Sequence, residues 1–208
     1  GDRFDKIVSV LVSAQHEAWK SLDDLIPEIR KKVIGYVFAE YDMSDVEILV
    51  NPSGRFVIGG FEADTGLTGR KLMVDSYGGI AHNGGGAMSG KDASKVDRSG
   101  AYLARYIAKN IVAAGLAEKC EVALTYAIGI PAPTSIDINT FFTGTVNEQL
   151  IRNAVEQVFD LRVGRAIDAL ALKRPVYVQT AVGGHFGKED FAWEKTDKAQ
   201  ELKNAIMP

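Results

Sequence analysis

The amino-acid sequence predicts an α+β fold of mixed and antiparallel sheets covered by helices. Short runs rich in β-branched residues alternate with longer segments whose apolar residues recur at helical spacing. Strand pairs covered by amphipathic helices are typical of this class. With 208 residues, 46% of them hydrophobic and 25% charged, the chain is long enough for one or two domains with a core.

The first 90 residues are predicted to contain four strands and one helix. Residues 7–13 form a continuous β-branched run, which is typical of a buried strand. Residues 21–32 carry an apolar face at helical spacing and begin at an N-cap serine. Three further strands are predicted at residues 47–50, 55–58 and 71–77, and a glycine-rich loop at residues 78–90 follows them.

The second part of the chain is predicted to hold the strongest helix, at residues 97–116. An apolar stripe of Tyr102, Tyr106, Ile107 and Ile111 runs along it, and Gly115 suits its end. The remaining predictions are strands at 121–130 and 135–142, helices at 147–159 and 165–172, and an irregular tail from residue 175 that contains the motif Gly-His-Phe-Gly at 184–187.

Composition argues against several classes of protein. A formal net charge of −3 gives no basic field that would attract a nucleic-acid backbone. Cys120 is the only cysteine, so no intrachain disulfide can form and a cytoplasmic location is expected. No apolar run approaches the roughly 18 residues that a membrane helix needs, and no signal peptide is visible.

The stretch from residue 51 to residue 98 gathers cations among many glycines. Arg70 and Lys71 are adjacent, Lys91 and Lys95 are four residues apart, and Arg98 follows. Any one of these side chains could be a solvated surface cation with a local ion pair. Five of them within glycine-bounded turns favour a site for a small anion, because glycine lets backbone N–H groups approach oxygen atoms closely.

This sequence does not fit two well-known kinds of functional site, the P-loop and the histidine-based catalytic or metal site. Residues 85–91 match the pattern G-x-x-x-x-G-K of a phosphate-binding P-loop, but Asp92 replaces the hydroxyl residue that would reach magnesium. The predicted helix also starts too late to meet a phosphate. His16, His82 and His185 are interpreted as structural, since no partner residues complete a triad or a paired-histidine metal site. The residues alone therefore predict phosphate binding assisted by a divalent metal and do not define the reaction.

Three longer blocks resemble the signature segments of the methionine adenosyltransferase family, also called S-adenosylmethionine synthetases. They are GGFEADTGLTGRKLMVDSYGG at residues 59–79, GGGAMSGKDASKVDRS at residues 84–99 and TYAIGI at residues 125–130. The chain departs from the usual family pattern at residues 61–63, Met88, Ala93 and Gly183. These departures lie near the expected site and leave its charged groups in place.

The resemblance implies that the chain is the C-terminal half of such an enzyme. Family members carry a GHPDK-type motif with a catalytic histidine and a magnesium-binding aspartate in their N-terminal half, and this chain has no such motif. The family fold implies three similar α+β domains in a pseudo-symmetric arrangement. Residues 1–58 are then expected to be the end of the central or N-terminal α+β region, and residues 59–208 the C-terminal region with the glycine loop and the phosphate-binding cations.

Five site residues in the first blocks follow from the resemblance. Arg55 and Phe56 match the position that stacks on adenine, and Asp64 matches a carboxylate that contacts the methionine amino group and the nucleotide. Arg70 and Lys71 match the pair that binds the polyphosphate, and both are expected to be catalytic.

Four more site residues follow in the second block. Ala87 and Lys91 match nucleotide contacts made from the neighbouring subunit, and Lys95 matches a methionine or phosphate contact. Lys91 and Lys95 are also expected to be catalytic. Asp97 matches a magnesium ligand, and the family implies two magnesium ions per site together with potassium.

The resemblance implies that ATP and L-methionine are the substrates and S-adenosylmethionine the product, with the triphosphate hydrolysed to pyrophosphate and phosphate. It also implies self-association into a dimer, commonly a tetramer, with active sites at the interface. The alternative is an inactive or regulatory nucleotide-binding fragment that folds and dimerises without catalysis.

Overall fold

The structure is a computed structural model and describes residues 5–206. It contains helices and two small sheets, which confirms the predicted α+β class. The chain forms two compact units, of which the first ends at Gly66 and the second begins at Leu67. The predicted domain division at residue 58 concerns a longer protein and stays a prediction.

The first unit is built on a pair of parallel strands joined by a helical segment. Strand β1 (Ser9–Val12) pairs in parallel with β2 (Glu47–Val50). These are two of the strands that the sequence predicted. Between them lies helix α1 (Leu22–Ile29), which continues through a π-helical stretch (Arg30–Ile34) into the short helix α2 (Gly35–Val37). The predicted helix at residues 21–32 is thus confirmed and extends further.

Local interactions explain where this helix starts and why one predicted strand is absent. The Ser21 hydroxyl accepts a hydrogen bond from the Asp24 N–H, so Ser21 is the predicted N-cap. The strand predicted at residues 55–58 is wrong, because these residues pair with no neighbouring strand. Instead, Phe56 exchanges two bonds with His16: the His16 N–H donates to the Phe56 carbonyl, and the Phe56 N–H donates to His16 Nε2.

The second unit contains an antiparallel strand pair beside a long helix. Strand β3 (Glu121–Thr125) pairs with β4 (Ser135–Asn139) along their full length. Helix α4 (Val96–Ala113) packs on β3 and confirms the strongest predicted helix. Gly115, with φ of +72°, follows its last turn in the left-handed conformation that glycine adopts without strain.

Three further helices complete the second unit. Helices α5 (Glu148–Val158) and α6 (Val163–Ala169) agree with the predictions. Helix α7 (Ala199–Ile206) lies in the tail that was predicted to be irregular, and it packs on α4 and α5. The tail before it contains two single-turn 3₁₀ helices, Val178–Ala181 and Ala192–Glu194.

Helix α4 lies at the centre of the core of the second unit. The four residues of its predicted stripe are all buried, and Tyr102, Ile107 and Ile111 are fully buried. They pack with buried side chains from β4, α5, α6, α7 and the 3₁₀ helix Ala192–Glu194, which are Ile136, Ile151, Ile167, Leu202 and Trp193. None of the helices within residues 5–206 is long and apolar enough to cross a membrane.

The strand predicted at residues 71–77 is wrong and is replaced by the short helix α3 (Leu72–Asp75). The Asp75 N–H donates to the Lys71 carbonyl and the Ser76 hydroxyl donates to the Leu72 carbonyl, both across one helical turn. Gly78, with φ of +66°, then turns the chain into the glycine loop. Helix α3 therefore directly follows the Arg70–Lys71 pair.

Candidate functional site

The glycine loop packs against the first turn of helix α4. A Cβ atom on Gly86 would lie 2.3 Å from Cγ of Asp97, so only glycine allows the loop backbone to approach this carboxylate so closely. The Lys91 ammonium lies 2.9 Å from Oδ2 of Asp97. Both side chains remain partly exposed, which leaves them accessible to a ligand. The loop and helix therefore bring together two residues that the family resemblance placed in the site.

A short turn between Lys91 and α4 sets the start of the helix. The Ser94 N–H donates to Oδ1 of Asp92 at 2.7 Å. Hydrogen bonds from Ser94 hold the pKa of the Asp92 carboxyl below its usual range. Because this turn occupies the residues before Val96, the helix starts five residues after Lys91, unlike the helix of a P-loop. Lys95 occupies the N-cap position and is exposed.

The turn at residues 67–70 packs on the same glycine loop. Gly69 has φ of +79°, and a Cβ atom there would lie 2.8 Å from the Cβ of Ala87. This contact places Arg70 and Lys71 next to Ala87, and both cations are exposed. Within residues 5–206 the side chains of Arg70, Lys71 and Lys95 make no ion pair or hydrogen bond. The interpretation of local surface ion pairs therefore fits Lys91 and does not fit these three cations.

Arg98 has a different place from the other cations. Its side chain is buried and donates to the Lys91 carbonyl at 2.6 Å, to the Tyr102 hydroxyl at 3.1 Å and to the Thr180 hydroxyl at 3.3 Å. Its Cζ atom lies 3.8 Å from the centre of the Tyr177 ring. Arg98 thus stabilises the glycine loop from the interior of the second unit, and its buried guanidinium is not available to a ligand.

The Gly-His-Phe-Gly motif joins the glycine loop to helix α3. The His185 N–H donates to the Asp75 carbonyl at 2.9 Å, and a Cβ atom on Gly184 would lie 3.0 Å from the same oxygen. Phe186 stacks on Tyr77 with ring centres 4.7 Å apart. The motif therefore fixes the end of the helix that follows the Arg70–Lys71 pair.

A buried ion pair holds the other side of the motif. Glu194 is almost fully buried and accepts two hydrogen bonds from Arg105, at 3.0 and 2.9 Å, and one from the Gly187 N–H. Burial favours the protonated form of Glu194, but the bonds from Arg105 and Gly187 outweigh it and leave the pKa of Glu194 lowered. Sequence reasoning did not find this pair, since its partners lie 89 residues apart.

A cavity of about 430 Å³ opens beside the loop within the second unit. Helix α4, strand β3 and the glycine loop form its walls, with apolar side chains such as Met88, Val122 and Leu124. Asp97 and Glu121 supply carboxylates at its edge. Of the predicted site residues, only Asp97 lines this cavity.

Three predicted site residues lie in the first unit and form a separate set. The Arg55 guanidinium donates to the Ala18 carbonyl at 2.5 Å. Phe56 is 39% exposed, so its ring is available to a ligand and is not a core residue. Asp64 is exposed and accepts a hydrogen bond from the Gly66 N–H at 3.2 Å.

The three histidines are all held by hydrogen bonds. His16 and His185 are buried, and His82 is exposed and lies 3.0 Å from both carboxylate oxygens of Glu121. These contacts agree with the prediction that they are structural. His185 contacts both the glycine loop and α4, which the sequence pattern alone did not indicate.

The described residues fit a magnesium ion that is held largely by its substrate. No group of three or more metal-binding side chains occurs within residues 5–206. Magnesium commonly uses one or two carboxylates together with substrate phosphates and water. Asp97 offers one partly exposed carboxylate, paired with Lys91, beside the glycine loop, which suits this mode of binding.

Comparison with known proteins identifies the family. Residues 58–195 match the model of the S-adenosylmethionine synthetase C-terminal domain. The chain is similar to the S-adenosylmethionine synthase of Treponema denticola, with 53% identity over 97% of this chain and 52% of that protein. It is also similar to the S-adenosylmethionine synthase of Lacticaseibacillus casei, with 54% identity over 95% of this chain and 51% of that protein.

A solved structure agrees with these matches. An unusual S-adenosylmethionine synthetase from Campylobacter jejuni superposes with a TM-score of 0.82 and 40% identity, over 96% of this chain and 54% of that one. The chain therefore spans about half the length of the relatives it matches, which agrees with the expectation that its units belong to a larger arrangement. On the family model and these relatives together, the chain belongs to the S-adenosylmethionine synthetase family.

Proposed function

We propose that this chain is the C-terminal half of an enzyme that makes S-adenosylmethionine from ATP and L-methionine. One observation carries the proposal: the Arg70–Lys71 turn packs on the glycine loop beside the Lys91–Asp97 pair. The second unit thus carries unpaired cations and a partly exposed carboxylate on neighbouring turns, where they are accessible to substrates held between subunits. The complete enzyme, meaning residues 1–208 preceded by their N-terminal half, is the active species.

In the proposed reaction the methionine sulfur attacks C5′ of ATP. The new S–C5′ bond forms as the C5′–O bond breaks, and the electron pair leaves with the triphosphate. Arg70, Lys71, Lys91 and Lys95 stabilise the negative charge that develops on this leaving group. Preorganised charges of this kind commonly provide the largest part of an enzyme's rate enhancement.

The same cations then serve the second step, in which water attacks the bound triphosphate and releases pyrophosphate and phosphate. Arg70 and Lys71 lie on one turn and hold the polyphosphate chain in place. Asp97 and the substrate phosphates would hold magnesium, which supplies Lewis-acid stabilisation of phosphate oxygens. Potassium, the other expected ion, is proposed on the family resemblance alone.

On the family resemblance, two residues of the first unit also bind the substrates. The exposed Phe56 ring, held by its backbone bond to His16, stacks on adenine, and Asp64 binds the methionine amino group. Ala87 and Lys91 contact the nucleotide of a neighbouring subunit, so that the functional unit is at least a dimer. A cytoplasmic location fits the single half-buried cysteine.

One alternative is a nucleotide-binding fragment that dimerises without catalysis. The two proposals differ in the product: the fragment would bind ATP and form no S-adenosylmethionine even when joined to an N-terminal half.

Mixing two variants of the complete enzyme tests both the activity and the shared site. Arg70→Ala and Lys91→Ala should each remove most of the triphosphate hydrolysis that accompanies S-adenosylmethionine formation. If one site takes Arg70 from one subunit and Lys91 from the other, a mixed dimer contains one site with both lesions and one with neither. Triphosphate hydrolysis should therefore return on mixing. Absence of recovery, with subunit exchange confirmed by native mass spectrometry, rejects the shared site, and an inactive unsubstituted enzyme rejects the function.

A further inference from the structure

A fully buried histidine connects the glycine loop to the interior of the second unit. His185 Nε2 lies 2.9 Å from the Ser89 hydroxyl, and Nδ1 lies 2.7 Å from the Tyr102 hydroxyl. The His185 backbone is held as well, because the Trp193 indole N–H donates to its carbonyl at 2.8 Å. The imidazole therefore cannot reorient without breaking several buried bonds.

The direction of each hydrogen bond follows from Arg98. A guanidinium can only donate, so Arg98 Nε donates to the Tyr102 oxygen. The single Tyr102 proton is then directed to His185 Nδ1, which must accept. The other ring nitrogen, Nε2, carries the proton and donates to the Ser89 hydroxyl.

The protonation states required by this chain of bonds agree with the surroundings. Burial raises the pKa of Tyr102 to about 12, so the phenol keeps its proton. Burial and the nearby Arg98 charge lower the pKa of His185 to about 4, so the imidazole stays neutral near pH 7. One nitrogen of a neutral imidazole donates and the other accepts, as the geometry requires.

Arg98 holds the loop at a second point, two residues after Ser89. It donates to the Lys91 carbonyl at 2.6 Å while its Cζ lies over the Tyr177 ring. No carboxylate among residues 5–206 lies within ion-pair distance of this guanidinium. Its partners are neutral oxygens and an aromatic face, so its arrangement depends on the loop and on the tail that contains Thr180.

We infer that Arg98, Tyr102 and His185 are positioning residues that fix loop residues 89–91 in the conformation from which Lys91 meets a polyphosphate. They act at two atoms, the Ser89 hydroxyl and the Lys91 carbonyl, and they touch no substrate themselves. That the ligand is a polyphosphate rests on the proposed function. That the three residues hold loop residues 89–91 in place does not.

Tyr102→Phe is the sharpest test, and Tyr106→Phe is its matched control. The first removes the hydroxyl between Arg98 and His185 and leaves the ring stacked on Trp193. The second removes a hydroxyl from the same helix that bonds to Asp197 at 2.7 Å, away from the loop. Amide hydrogen exchange of residues 89–91 in the 208-residue chain should rise at least about tenfold in Tyr102→Phe only, the effect of losing two buried hydrogen bonds.

Nitrogen NMR of the imidazole gives an independent result. The inference requires His185 to carry its proton on Nε2 in the unsubstituted chain. A proton on Nδ1, or equal loop exchange in Tyr102→Phe and Tyr106→Phe, overturns it.

Affinity for inorganic triphosphate, measured with magnesium in the complete enzyme, should fall about tenfold in Tyr102→Phe and stay within about twofold in Tyr106→Phe. Equal affinities in the two variants overturn the positioning role. If the unsubstituted enzyme binds no triphosphate, the proposed function fails, and the exchange and NMR results still decide whether the loop is braced.

Discussion

The Lys91 ammonium lies 2.9 Å from Oδ2 of Asp97, which pairs an expected phosphate contact with an expected magnesium ligand. Each group partly neutralises the other. When both ions bind, a phosphate would take the place of Asp97 as the negative partner of Lys91. A magnesium ion would take the place of Lys91 as the positive partner of Asp97. We therefore expect the pair to bind a magnesium–phosphate complex better than either ion alone.

Asp97→Asn should separate these two effects. Without magnesium, the variant should bind triphosphate as tightly as the unsubstituted complete enzyme or up to about fivefold more tightly, because Lys91 loses a competing carboxylate worth ~0–1 kcal/mol. The increase in affinity on adding magnesium should be lost. Isothermal titration with and without the metal measures both. A full magnesium response in the variant would remove Asp97 from the metal site.

Gly86→Ala should act on the same carboxylate through the loop backbone. The new Cβ would lie 2.3 Å from Asp97 Cγ, so the carboxylate must move away from Lys91. The new Cβ would also lie 2.7 Å from Asp97 Cβ, so the loop must shift, and we expect the free energy of unfolding to fall by about 1–3 kcal/mol. The increase in triphosphate affinity on adding magnesium should be smaller than in the unsubstituted complete enzyme. Gly85→Ala is the control, because a Cβ there meets open space. Equal magnesium titrations for the two variants would contradict the close contact.

Arg70→Leu should slow triphosphate hydrolysis by the complete enzyme more than it slows S-adenosylmethionine formation. Loss of one preorganised charge at a developing anion costs about 2.7–4 kcal/mol of barrier. Arg70 is exposed and unpaired within residues 5–206, so the melting temperature should not change. The exposed Arg174→Leu, outside the loop, should leave both rates unchanged. Equal small losses on both steps would make Arg70 an ordinary surface cation.

Much of the fold and part of the site could be predicted from local sequence patterns. The stripe on α4 and the strands β1 to β4 follow apolar periodicity, which burial against a core enforces. The strand predicted at residues 71–77 is wrong because a helical turn forms there instead. The Asp75 N–H and the Ser76 hydroxyl donate hydrogen bonds to carbonyls one turn earlier, which apolar periodicity does not record. Helix α7 was missed because its stability comes from packing on α4 and α5.

The residues of the candidate site likewise include some that the sequence could predict and some that it could not. The exposed cations and the Asp97 carboxylate were predicted from residue type and family motifs, and their roles in a site stay predictions. The role of His185 could not, because its partners Ser89 and Tyr102 lie 96 and 83 residues away. The cluster of five cations also counted Arg98, which the structure places in the core.

His185 should make the stability of the chain depend on pH. Its pKa is lowered from 6.5 to about 4 in the folded state, so below pH 6.5 the unfolded state binds a proton that the folded state does not. The stability contribution is therefore present above pH 6.5 and is lost as the pH falls toward 4. Between pH 7 and pH 5 the free energy of unfolding should drop by about 2 kcal/mol from this group. Urea titrations should show a smaller drop in His185→Gln, and an equal drop in both would show that His185 titrates normally.

The most direct measurement of the central claim is S-adenosylmethionine formation by the two halves, apart and together. Residues 1–208 should form no product from ATP and methionine, because no GHPDK-type motif is present in them. Adding the N-terminal half should produce S-adenosylmethionine, detected by mass spectrometry, and Arg70→Leu in this chain should sharply reduce the phosphate released by triphosphate hydrolysis. Product from residues 1–208 alone, or restored triphosphate hydrolysis that Arg70→Leu leaves unchanged, would contradict the account.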